Sequence, residues 1–213
     1  ANSNVKDRKP AVRATAERAK PAFTWNGHFL AISASMGGID ALTQILAHFP
    51  ADCPPTVIVL QSEPALVDTF INRMAGEADC KIIPAKDGAG LTSGTVHIAA
   101  DPEKHVVFEP GSPPKLRMVM RDPVDGARPS ATLLCGGRLT VYPTVGALLT
   151  GMGADGAKGL KMLRDAGGRT FVEDPATATV GETPAAAVAA NAGEKVLALD
   201  ALGVAVIGCC NQA

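Results

Sequence analysis

The sequence predicts a three-layer α/β/α domain with a mostly parallel, doubly wound sheet and an antiparallel hairpin insertion. Three observations lead there. Short β-branched apolar runs alternate with stretches of helical spacing near the start of the chain. The same alternation returns in its last third, after a middle section of short strands punctuated by Gly and Pro. Strand–helix–strand order argues for parallel pairing with helices on both faces, since each crossover must lie against the sheet.

Residues 1–25 (ANSNVKDRKPAVRATAERAKPAFTW) hold six Lys or Arg, two acids and two prolines, with few large apolar groups. Such a segment buries too little surface to offset its ordering entropy, and it reads as a linker or flexible tail. A domain over 26–213 follows. HFLAISAS is a buried strand, and GGIDALTQILAHF is a helix with Ile39, Leu42, Ile45, Leu46 and Phe49 at helical spacing. PTVIVLQ, ALVDTFINRMAGEA and KIIPA continue as strand, helix and strand. DGAGLTSGTVHIAA, HVVFEPG and KLRMVMR read as the hairpin insertion. VGALLTG, GADGAKGLKMLRDAG, RTFVE, TPAAAVAANAG and KVLALD restore the alternation and end on a strand.

Composition narrows the function classes. The 213 residues are 46% hydrophobic, enough for one sizeable core, and carry a net charge of −1. That balance, with only 4% aromatics, leaves no electrostatic footprint or stacking platform for nucleic acid. No apolar run approaches the ~18 residues that membrane insertion needs. The five cysteines (Cys53, Cys80, Cys135, Cys209 and Cys210) are odd in number and form no C-x-x-C pair. They point to reduced thiols of a cytoplasmic protein, with neither zinc nor another cofactor implied.

Ligand sites in open α/β sheets gather at the carboxyl ends of the strands. Three segments fall there: Ser33–Gly38, Gln61–Pro64 and Thr150–Gly156. In the first, Gly37 and Gly38 permit a tight strand-to-helix turn, and the helix N-terminus beyond presents unpaired N–H groups. Ser35 in that turn is either a nucleophile or a helix cap. A small-ligand or phosphate site is a further alternative for the same turn. Asp155, in a glycine-dense loop opening a helix, is either an N-cap or the carboxylate that orients a catalytic base.

Taken in order, these segments resemble the catalytic domain of the CheB chemotaxis methylesterases. Ile32-Ser33-Ala34-Ser35-Met36-Gly37-Gly38 is similar to that family's I-G-A-S-T-G-G, and Leu149–Gly156 to its L-T-G-M-G-x-D-G. Val96–Ala100 with His105 echoes a Y-I-A-P stretch and its downstream histidine, and Arg128-Pro129-Ser130 echoes H-R-P-S. The resemblance implies a serine–histidine–aspartate esterase. It would hydrolyse glutamate methyl esters, and deamidate glutamine, on the cytoplasmic helices of chemoreceptors. Ser35 falls on the nucleophile and Asp155 on the orienting carboxylate, with Met36, Gly37, Gly38, Met152 and Gly153 around the cleft and oxyanion site.

The family's histidine lies in a Q-H-M-P stretch, which here is Gln61-Ser62-Glu63-Pro64. Ser62 therefore stands at the base position. Met36 and Ala127 replace a threonine and a histidine of the pattern, and Gly136-Gly137 interrupts a shortened helix. A serine hydroxyl needs a neighbour to take its proton, and loss of a triad base costs on the order of 10⁴ to 10⁶ in turnover. His28 and His48 sit at the wrong ends of their elements, which leaves Glu63, His97 and His105 as substitute bases. The expectation is an impaired CheB-like domain that binds chemoreceptor helices or another signalling protein, with a receiver or other domain outside these residues. An active esterase with an unorthodox base is the alternative.

Overall fold

The computed structural model describes residues 22–212. Nine strands and six helices follow one another in the order β1 (Phe29–Ala34), α1 (Gly38–Leu46), β2 (Thr56–Leu60), α2 (Pro64–Glu77), β3 (Lys81–Pro84), β4 (Thr95–Ala99), β5 (His105–Glu109), β6 (Lys115–Val119), α3 (Ala131–Gly136), β7 (Thr144–Leu148), α4 (Ala157–Asp165), β8 (Arg169–Glu173), α5 (Glu182–Ala189), β9 (Lys195–Leu197) and α6 (Leu199–Cys209). Seven strands form one sheet in the order β3-β4-β2-β1-β7-β8-β9. Every pair in it is parallel, while β5 and β6 make a separate antiparallel hairpin. The three-layer architecture with one antiparallel excursion is the one the sequence predicts.

The apolar runs follow from position. β1 lies between β2 and β7, and all six of its residues are buried. A strand covered on both faces has no polar face to show, so its sequence runs apolar rather than alternating. Successive side chains still divide between two cores. Leu30, Ile32 and Ala34 join α1, α2 and α6, whereas Phe29 and Ala31 face the hairpin and α3. Leu42, Ile45 and Leu46 of α1 are fully buried, each worth about 1.5–3 kcal/mol in transfer from water. A third cluster, around Leu148, Leu160, Leu163 and Val172, seats α4 and α5 on the second face.

Two elements differ from the sequence reading. Thr95–Ala99, read with the insertion, is β4, a parallel strand between β2 and β3. Its buried His97 and the glycines before it hide an interior strand, because the pattern lacks an unbroken apolar run. The chain also ends on α6 rather than on a strand. Leu202, Val206 and Cys210 pack into the first core beside α1. α6 is apolar nearly all round, so it carries no helical period to recognise. Of the expected linker, residues 1–21 lie outside the described residues. Residues 22–25 join the domain: Trp25 bridges to Asn211, and Phe23 packs on the first core.

Candidate active site

β1, β2 and β7 are adjacent, so the three segments that follow them meet at one edge of the sheet. Between them opens a cleft of about 910 Å³. Ser35, Met36, Gly37 and Gly38 line it from β1, Ser62 and Glu63 from β2, and Met152, Gly153 and Asp155 from β7. These nine sequence-predicted residues are thus brought together.

The Ser35 turn is held rigidly. Ser35 N donates to Thr150 O at 3.1 Å, and Gly38 N closes the turn on Ser35 O at 2.8 Å. Gly37 has φ of 78°, and a Cβ there would lie 2.8 Å from Thr179 Cβ, so only glycine fits. Gly37 is the N-cap of α1 and no side chain caps it, which removes the helix-cap reading of Ser35. The hydroxyl instead faces the β7 loop, where Met152 N donates to Ser35 Oγ at 3.1 Å. A Cβ at residue 151 would collide with that hydroxyl, so Gly151 lets the two loops touch. Thr150 ties them further: its Oγ1 donates to Met36 O at 2.9 Å, and its N–H donates to Glu173 Oε2 at 2.7 Å. Glu173 ends β8 fully buried, and burial raises its carboxyl pKa above the ordinary value.

Asp155 is only 6% exposed and accepts four hydrogen bonds. Ser130 Oγ donates to it at 2.5 Å, Ala131 N at 2.7 Å, Thr132 N at 3.1 Å and Gln61 Nε2 at 2.7 Å. It does not cap its own helix, since Gly156 is the N-cap of α4 without a side-chain bond. It fills the N-terminus of α3 instead, where a carboxylate satisfies orphan N–H groups and suits the helix dipole. Gln61 also donates to Pro129 O at 2.8 Å, which locks its amide between the carboxylate and the loop before α3. The space shared by Ser35, Gln61, Thr150 and Asp155 measures about 10 Å³, the room of roughly one water.

No histidine lines the cleft. His97 is buried within β4, both ring nitrogens without a hydrogen-bond partner, and burial lowers its pKa below the ordinary imidazole value. His105 has both nitrogens engaged: Nδ1 accepts from Ser130 N at 3.2 Å, and Nε2 lies 3.0 Å from Asp122 O. It braces the loop that presents Ser130 to Asp155. Glu63 does line the cleft, exposed and without a hydrogen bond to Ser35.

With the Ser35 turn, the β7 loop and the buried carboxylate described, the chain can be set beside known proteins. The CheB methylesterase family model matches residues 30–206. The chain belongs to the CheB methylesterase family. A protein-glutamate methylesterase/protein-glutamine glutaminase of Rhizobium etli is 39% identical over 180 residues, 84% of this chain and 52% of the relative. One of Caulobacter vibrioides is 34% identical over 209 residues, 97% of this chain and 61% of the relative. The chain therefore spans little more than half the length of these curated relatives. The catalytic domain of Thermotoga maritima CheB superposes with a TM-score of 0.80 at 24% identity, covering 85% of this chain and 98% of that one. That likeness concerns the fold.

Sequence reasoning missed four contributors to this CheB-family site: Gln61 and Ser130 as partners of Asp155, and Thr150 and Glu173 as the brace beneath Ser35. Gln61 and Ser130 stand within the quoted motif stretches, but their hydrogen bonds to Asp155 span 94 and 25 residues of chain. For Glu173, an acid closing the apolar RTFVE run was the available signal.

Proposed function

We propose that this domain is a cytoplasmic chemotaxis-signalling module that binds a chemoreceptor helix bundle or another signalling protein through the Ser35 cleft. Hydrolysis of glutamate methyl esters, the activity named for its curated relatives, is lost or severely impaired. One observation carries the reading: Ser35 Oγ receives the N–H of Met152, and no described side chain accepts the hydroxyl proton. Ser62 occupies the base position, and a second hydroxyl cannot take that proton near neutral pH. The carboxylate meant to orient a base is already saturated by Gln61, Ser130 and the start of α3. The Met152 N–H would still suit an oxyanion, so weak polarisation of a bound carbonyl survives without proton transfer.

The test is hydrolysis of a methylated receptor fragment by the intact chain, Ser35→Ala and Ser62→His. The expected result is that Ser35→Ala leaves the slow wild-type rate unchanged. Ser62→His, entering from the open side of the cleft, raises the rate by about 10²-fold, the low end of general-base effects. A wild-type rate that drops by that factor on loss of the Ser35 hydroxyl would mean a working base and end the proposal.

A further inference from the structure

We propose that the Ser35 cleft receives a basic amphipathic helix of its partner protein. This rests on the reading that the cleft binds rather than hydrolyses, and adds the chemistry of what is bound.

The first observation is apolar. Met36, Leu66 and Met152 are 53%, 52% and 56% exposed, they come from three separate elements, and all line this one cleft. Large hydrophobic side chains gathered around a concave surface mark an interaction site, whereas singly scattered ones carry no such meaning. Two of the three are methionines, whose flexible thioether chains adapt to an apolar stripe.

The second observation is charge. Apart from Asp155, which is buried and taken up by its four donors, the carboxylates lining the cleft are Asp40, Glu63 and Asp125, against the single guanidinium of Arg128: three minus one, a formal −2. Lys158, which pairs with Asp125 at 3.2 Å, reduces this to −1. Arg128 is committed to backbone carbonyls, with Nε donating to Pro102 O at 2.6 Å and its terminal nitrogen to Arg121 O at 3.1 Å. Asp40, in the first turn of α1, and Glu63, at the N-cap of α2, have no ion-pair partner among the described residues. The rim therefore favours Lys or Arg and repels an acidic surface.

The third observation selects a helix. β1 is hydrogen-bonded on both sides, by β2 and β7, so the cleft has no free strand edge for an extended peptide to join. Recognition must run through side chains. An amphipathic helix offers that, with apolar anchors at i, i+3, i+4 and i+7 for the methionines and Leu66, and cations on its flanks for Asp40 and Glu63.

Two synthetic peptides test the inference by fluorescence anisotropy on the full chain: an amphipathic helix with Leu on one face and Lys elsewhere, and its counterpart with Glu in place of Lys. The Lys peptide should bind at least about tenfold tighter, with affinity falling as salt rises, because the rim charges are exposed. Asp40→Lys with Glu63→Lys should weaken it about tenfold, two exposed pairs turned to repulsion. Glu77→Lys with Asp200→Lys makes the same net charge change away from the cleft and should leave binding unchanged. Leu66→Ser should weaken the Lys peptide as well, with thermal melts showing each variant folded. Equal affinity for the two peptides, preference for the Glu peptide, no binding, or equal weakening by the distal pair would each overturn the proposal. None of these bears on ester hydrolysis, so the helix assignment can fail while the non-hydrolytic reading stands. Conversely, Ser35-dependent hydrolysis removes that reading whatever the peptides do.

Discussion

The two walls of the cleft are built to opposite standards. On the β7 side, Asp155 draws together the end of β2, the start of α3 and its own loop through four hydrogen bonds. Beneath it Thr150 and Glu173 lock the loop to the Ser35 turn. On the opposite side, beyond the end of β2, Ser62 and Glu63 line the cleft without a side-chain hydrogen bond between them or to Ser35. The wall that carries Asp155 is tied into the fold by hydrogen bonds, whereas the wall that carries Ser62 and Glu63 is not. A carboxylate whose loss leaves several buried donors unpaired is retained for stability whatever happens to the reaction.

Four substitutions break or sharpen that contrast. Asp155→Ala is expected to cost the most, about 3 kcal/mol or more, because hydrogen bonds to a charged acceptor are lost and their donors stay buried. Urea unfolding would measure it, and a cost under about 1 kcal/mol would refute a structural role for the carboxylate. Gly151→Ala comes next, at about 1–3 kcal/mol, since its Cβ must displace the Ser35 hydroxyl or part the two loops. Unchanged stability would show that the walls are less tightly joined than drawn.

Glu173→Gln tests the buried brace through pH. The folded-state pKa of Glu173 lies above the ordinary value of 4.5, so the native chain holds its proton more tightly than the unfolded chain. That contribution is complete below 4.5 and is lost as pH rises through the folded value. Glutamine keeps an acceptor for the Thr150 N–H and has no charge to bury. The variant should match the wild type near pH 4 and exceed it in stability near pH 8. A gap that shrinks as pH rises would contradict the assignment. Ser62→Ala should do least, within about 0.5 kcal/mol, as expected where no buried network is cut. A larger loss would reveal structure on the wall described as open.

Much of the fold was legible, and for an identifiable reason. The interior strands FLAISA, TVIVL and TVGAL are buried along their whole length, so they announce themselves as mostly apolar runs without alternation. β4 was hidden by His97, and α6 by having apolar residues on all sides, because each breaks the pattern by which its class is recognised. At the site, the positions of Ser35, Ser62 and Asp155 followed from order along the chain and resemblance to the CheB pattern. What Asp155 does there did not follow. An aspartate opening a helix reads as that helix's cap, and only the packing of α3 against α4 shows that it caps the other one.

By itself the sequence determined the strand and helix rhythm, the Gly-rich turns at the strand ends and the absence of an imidazole at position 62. These are local properties, set by side-chain periodicity, backbone conformation and residue identity. The tertiary structure decided the strand order, the saturation of Asp155 by Gln61 and Ser130, and the exclusion of His97 and His105 from the cleft. Hydrogen bonds and burial join residues far apart in the chain, and proximity of that kind exists only once the layers have packed.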